Sequence, residues 1–136
     1  MGMQEINQKI IDEFRANQGK VGGQFQGAPL LLLTTTGAKS GLTRTNPLAY
    51  LRDGDRYVII ASFAGAPTNP PWFYNLVAHP NVKVEVGAES FDARAEVLAE
   101  PERSELYRRM EAAMPVFSEY QRKTKRSIPV VALRRR

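Results

Sequence analysis

Cysteine is absent from these 136 residues, and histidine occurs once, as His79. Without thiols there is no disulfide, no thiolate nucleophile and no zinc-thiolate centre, and a single imidazole gives a metal cluster little to build on, so no bound metal is expected. Nowhere does the chain reach the roughly 18 to 20 consecutive apolar residues that a membrane helix needs. The opening MGMQEINQKIIDEF carries acids and amides where an export signal would carry a basic patch and an apolar run, so a cytoplasmic location is expected. Acidic residues are also missing from one stretch, LLLLTTTGAKSGLTRTNP, from Leu30 to Pro47, although it holds Lys39 and Arg44. A turn that only reverses the chain has little use for so many donors of one sign.

What is present suits one soluble globular domain, with 43% hydrophobic and 24% charged residues. Residues 1–28 read as an amphipathic helix with a glycine-rich approach segment, and 29–136 as the main body. The net charge of +5 favours an anionic partner without choosing among nucleic acid, a lipid surface and a phosphorylated small molecule. Much of the excess falls late, in Arg122, Lys123, Lys125, Arg126 and Arg134 to Arg136, where a solvated face or a frayed tail is the plain expectation.

Ile6, Ile10, Ile11 and Phe14 recur at helical spacing before Gly19, which predicts the N-terminal helix. Strands are expected over Leu30 to Thr36, Thr43 to Arg52 and Arg56 to Ser62, the last two joined across Asp53-Gly54. Proline at the first helical turn predicts a short helix over Pro71 to Ala78, ended by His79-Pro80. A strand over Val82 to Val86 and a partner over Phe91 to Leu98 follow, then a helix from Pro101 broken at Pro115, and a last strand in SIPVVAL. Six short strands joined by hairpins, with few crossover helices, make a small antiparallel β-barrel with flanking helices: a mainly β, α+β fold.

The Gly37 to Arg44 loop is not a P-loop, because Lys39 and Ser40 precede Gly41 and a strand follows. Gly-x-Gly-x-x-Gly does not occur, so a Rossmann dinucleotide site has no support. What the loop offers is close backbone approach at Gly37 and Gly41, hydroxyls at Ser40 and Thr43, and two cations, which suits a phosphate as well as a merely soluble hairpin. Trp72, Phe73 and Tyr74, set beside prolines, suit either a barrel plug or the wall of a pocket.

Taken together, LLLLTTTGAKSGLTRTNPLAYLRDGDRYVIIAS, GAPTNPPWFYNLVAHPNVKVEV and EYQRKTKRSIPVV resemble the deazaflavin (F420)-dependent nitroreductase family. That family carries TTTG-x-K-[ST]-G-x-x-R, a Ser-ended strand, N-P-x-W-[YF]-x-N-L and Y-Q…R-x-I-P. The likeness runs in the same order from about Pro29 to Leu133. It implies a split β-barrel of the flavin-reductase, FMN-binding type that binds coenzyme F420, a two-electron hydride carrier with a phosphodiester and an oligoglutamate tail. Position by position, it implies that Lys39, Ser40 and Arg44 hold the phosphate, and that Asn46 and Pro47 line the ring pocket. Ala61, Ser62, Phe63, Pro71, Trp72 and Asn75 would border the cofactor.

The same resemblance implies an enzyme that passes a hydride to an electron-poor acceptor such as an enone, a quinone or a nitro compound. Tyr120 matches a pocket tyrosine that binds the acceptor or relays a proton; its structural alternative is an anchor for the last helix. Met114 and Phe117 stand where nitroimidazole-reducing members have tyrosines, Ala49 replaces another, and Phe63 replaces a lysine. The substrate pocket of Ala49, Met114, Phe117 and Tyr120 is thereby more apolar, which favours a hydrophobic acceptor. Alternatives of other classes are a split barrel that takes FMN or haem and a small barrel that binds nucleic acid. The latter is disfavoured because the aromatics sit beside prolines in an expected helix, so no nucleic acid partner is expected. A homodimer follows by analogy, and peripheral membrane contact through the N-terminal helix would suit a lipid quinone.

Overall fold

The computed structural model of the chain describes residues 3–22 and 29–136. Helix α1 (Met3–Ala16) precedes strands β1 (Leu30–Thr36), β2 (Thr43–Ala49), β3 (Leu51–Asp53) and β4 (Arg56–Ile60). Helix α2 (Pro71–Ala78), strands β5 (Asn81–Val86) and β6 (Glu89–Val97), helices α3 (Glu102–Ala113) and α4 (Val116–Lys123) and strand β7 (Val130–Arg135) complete the order. The glycine-rich approach segment falls mostly in 23–28, outside the described residues.

All strands join one antiparallel sheet in the order β2-β1-β5-β6-β7-β4-β3. The two edge strands, β2 and β3, are consecutive in the chain with only Tyr50 between them. A flat sheet would hold its edges a full sheet-width apart, so this one must curl until they meet, and the result is a small split barrel. The stretch expected as one strand from Thr43 to Arg52 is therefore two. It pairs with β1 as far as Ala49 and with β4 from Leu51, and at Tyr50 its amide turns to the Pro29 carbonyl (3.1 Å). Sharing one strand between two edges gives seven segments where six were expected.

Other boundaries differ too: β5 starts at Asn81, and β6 spans Glu89–Val97 where Phe91 to Leu98 was expected. β4 stops at Ile60 because Arg126 takes the Ala61 and Ser62 carbonyls, and β7 starts at Val130 because Pro129 has no amide for a ladder. β7 then runs on through Arg135, whose guanidinium bonds Glu89 (2.7 Å) and lies over the Phe91 ring (4.2 Å). Arg134 and Arg135 pair in register with Arg94 and Ala93 of β6, so they are not the frayed tail that charge counting suggested.

Alternation along the strands divides the apolar residues between two faces. Inside the curl lie Leu31, Leu33, Ile59, Ala61, Val82, Val84, Val131 and Leu133, with Trp72 and Leu76 of α2 plugging one end. Outside, Val58, Ile60, Val130 and Ala132 are covered by Leu106, Tyr107 and Met110 of α3 and Phe117 of α4. α1 covers the outer side of β1, burying Ile11 and Phe14 against Leu30 and Leu32. Its end is fixed where Gly19 (φ 93) meets the β5–β6 turn; a Cβ there would lie 2.7 Å from Gly87 Cα.

Helix α3 is tied to the β3–β4 hairpin by charge. Asp53 accepts from Arg109 (2.7 Å) and Arg56 (2.8 Å), and the buried Arg56 also pairs with Glu102. Hydrogen bonds from Arg109 first, and then from Arg56, hold the Asp53 carboxyl below its ordinary value. A depressed folded-state value means stability that is present above the unfolded value of about 3.9 and lost as pH falls through the folded one. Asp53→Asn should therefore be less stable than wild type at pH 7, with the gap narrowing below about pH 4. Urea unfolding at both pH values checks this, and a gap of constant size would contradict it.

Candidate functional site

The acid-free stretch forms the β1–β2 connection, and its shape is imposed by glycine and by α2. The Gly37 amide donates to the Leu42 carbonyl (2.7 Å), and the Gly41 amide to the Gly37 carbonyl (3.0 Å). A side chain at Gly37 would overlap Ser40 Oγ and lie 3.1 Å from the Leu42 carbonyl oxygen, and Gly41 has φ 73. Asn75 of α2 accepts from the Ala38 amide (3.0 Å) and donates to Thr35 Oγ1 (3.1 Å), so one side chain locks the loop to the helix. Asn75, expected to border the cofactor, spends its side chain on pinning the loop to α2.

Lys39 and Ser40 are exposed on this pinned loop, and Arg44 is exposed just beyond it at the start of β2. Among the described residues neither cation has an ion-pair partner, and the Lys39 and Ser40 amides have no protein acceptor. Two free cations, one on the turn and one on the strand that leaves it, together with two free amides, are a donor set that suits a phosphate. The residues present therefore fit an anionic group.

Register settles which neighbours share that side. Arg44, Asn46 and Leu48 stand opposite Thr35, Leu33 and Leu31, the inward face of β1, whereas Pro47 stands opposite Leu32 on the outward face. Asn46 accordingly joins Arg44, Thr35 and Asn75 at the mouth of the barrel, and Pro47 and Ala49 point to the other side of β2. Trp72 is 5% exposed, packed inside against the core that includes Leu33 and Ala61, with Pro71 exposed at the start of its helix. Ala61 and Ser62, both buried, lead from β4 into a turn where Phe63 is 47% exposed.

On the outer face, Ala49, Met114 and Tyr120 pack around the cluster that contains Phe117, and the Phe117 and Tyr120 rings meet edge to face at 5.4 Å. The structure thus brings together the four residues expected to line a substrate pocket. Phe117 is the most enclosed of them, and its carbonyl accepts from Tyr107 Oη (2.7 Å). Burial, reinforced by the charge of Glu111, pushes the Tyr107 hydroxyl up to about 12, so it stays a neutral donor at any working pH. A cavity of about 300 Å³ opens beside this group, lined by Pro29, Tyr50, Leu51, Arg52, Met110, Ala113 and Met114.

Sequence reasoning missed the cavity residues around Tyr50, because the break in the long strand was not visible, and it missed Arg126. Counted with the late basic residues as solvated surface, Arg126 is in fact half-buried and gives its guanidinium to Ala61, Ser62, Ala66 and Asn69. The signal available was its place in Y-Q…R-x-I-P, with no acid nearby to pair with it.

Among the described residues no group of His, Cys, Asp and Glu could hold a metal ion, and no helix is long and apolar enough to cross a membrane. Residues 7–135 match the family model described as F420H(2)-dependent quinone reductase. An F420H(2)-dependent quinone reductase of Mycobacterium tuberculosis is 42% identical over 127 residues, covering 90% of this chain and 85% of the relative. Among solved structures, an F420-H2 dependent reductase, FDR-A, is 40% identical, with a TM-score of 0.71 over 77% of this chain and 93% of that one. A structure described as a domain-swapped dimer is 35% identical, with a TM-score of 0.73 over 95% of both chains. With the family match spanning residues 7–135 and a relative 42% identical over 90% of the chain, the chain belongs to the F420H(2)-dependent quinone reductase family.

Proposed function

We propose that this protein reduces an electron-poor hydrophobic acceptor of the quinone class, with reduced coenzyme F420 as the donor. The observation that carries this reading is the pinned basic loop, whose unpaired cations and amides suit the acidic arm of that coenzyme. Lys39, Arg44 and the Ser40 amide would bind the phosphate, and Asn46, Ala61, Ser62 and Phe63 would border the ring, with Pro71 at the rim and Trp72 as rigid backing. Asn75 would act by keeping the loop in place.

When bound, the reduced coenzyme supplies a hydride to the acceptor. The protein's share is to align the two, exclude water and deliver a proton. Tyr120, half-buried beside Phe117, is our candidate for the last task and would donate to the acceptor oxygen, completing a quinone to hydroquinone reduction by one hydride and one proton. Ala49, Met114 and Phe117 present no hydroxyl, so a flat apolar acceptor is favoured over a nitroimidazole.

Parallel titrations with F420 and FMN, followed by turnover of a benzoquinone, a cyclic enone and a nitroimidazole with the reduced coenzyme, test the reading. Tighter F420 binding and fastest quinone or enone turnover are expected; tighter FMN binding, or nitro reduction as the fastest reaction, overturns it. The homodimer is supported by the domain-swapped relative, and sedimentation of the same sample as a monomer at tens of micromolar would remove it.

A further inference from the structure

The residues after β4 adopt a backbone that ordinary side chains avoid. Phe63 (φ 48) and Ala64 (φ 54, ψ 28) are both left-handed, and Gly65 (φ 82) continues the run. Each left-handed residue other than glycine lowers the population of that conformation by roughly 5- to 30-fold, so two in succession persist only where their surroundings impose them. Phe63 is too exposed for its own packing to do so.

The Arg126 guanidinium supplies the constraint. Nη2 donates to the Ser62 carbonyl (2.7 Å), Nη1 to the Ala61 carbonyl (3.2 Å) and to Asn69 Oδ1 (2.7 Å), and Nε to the Ala66 carbonyl (2.9 Å). These acceptors stand on both sides of the left-handed run, so one rigid fork ties its two ends together. Below the run, Gly65 lies so close to α4 that a Cβ would come within 2.8 Å of the Tyr120 carbonyl oxygen. Arg126 is itself anchored: its carbonyl accepts from Gln121 Nε2 (2.9 Å), and Gln121 Oε1 accepts from Arg103 Nη2 (2.9 Å) of α3. Every acceptor of the Arg126 side chain is neutral, which is an arrangement that shapes a turn rather than one that balances a charge.

We propose that Arg126 is a positioning residue that forces the Ser62–Gly65 turn into its left-handed form and thereby presents Ser62 and Phe63 to the cofactor ring. This rests on the cofactor reading above. Arg126→Lys keeps the charge but reaches fewer of the acceptors. Its affinity for F420, read by fluorescence titration well below the melting temperature, should fall about tenfold. Amide hydrogen exchange over 63–66 should quicken while β1 and β7 stay protected. Adding Ala64→Gly, which removes one source of strain and no contact, should restore at least about fivefold of the lost affinity.

Unchanged affinity in Arg126→Lys overturns the proposal, and so does a loss that Ala64→Gly does not repair, since a direct ligand or a general stabiliser would behave in that way. If the wild type binds no F420, the cofactor reading falls. Exchange over 63–66 in Arg126→Lys then still decides the clamp, and exchange equal to wild type removes it.

Discussion

Lys39→Ala combined with Arg44→Ala should weaken F420 binding by roughly 100- to 1,000-fold. Each charge-assisted contact to a phosphate is typically worth about 1.5 to 3 kcal/mol, and solvent exposure of both side chains argues for the lower end, giving about 3 to 4 kcal/mol for the pair. Each single variant should lose roughly tenfold. The loop itself should survive, because its shape depends on Gly37, Gly41 and Asn75 rather than on either cation. The wild-type advantage should shrink as salt is raised from about 0.05 to 0.5 M, because exposed charges are screened. Fluorescence titration at both ionic strengths reads the effect, and an affinity within threefold of wild type would remove the loop from the cofactor site.

Phe117→Ala should cost about 3 to 5 kcal/mol of stability, the usual range for emptying a buried phenylalanine site. The residue proposed above as part of the acceptor pocket is 6% exposed and sits with Met110, Ile128 and Val130 between α4 and the sheet, so it would serve as packed backing of that pocket. Its ring also supports Tyr120 edge-on, so the same change should loosen the tyrosine proposed as proton donor. Phe117→Leu keeps most of the volume and should cost less than about 2 kcal/mol. Urea unfolding separates the two variants, and an alanine variant within about 1 kcal/mol of wild type would show that the site is open to ligand rather than packed.

Helix α2 was legible to the residue, because Pro71 and His79-Pro80 mark both ends in the local chemistry of proline. The hairpin turn at Gly54 was legible for a similar reason, since it needs a positive φ and has a glycine. The division of the 43–52 stretch was not, because nothing local distinguishes Tyr50; the break exists only because strands distant in sequence claim the two halves. Arg126 shows the same limit from the side-chain direction. Its partners lie 57 to 65 residues away, and a chain read for charge alone places it on the surface.

The closure of the barrel through Tyr50 has a consequence for how the rim tolerates change. Elsewhere a loop between strands can absorb an extra residue, but here the circumference is completed by a single amino acid. One residue inserted after Tyr50 would turn either β2 or β3 over, sending Arg44 and Asn46 outward or Leu51 and Asp53 away from α3. The side that carries the basic loop and the side that carries α3 are thus phased to each other by covalent length at one position.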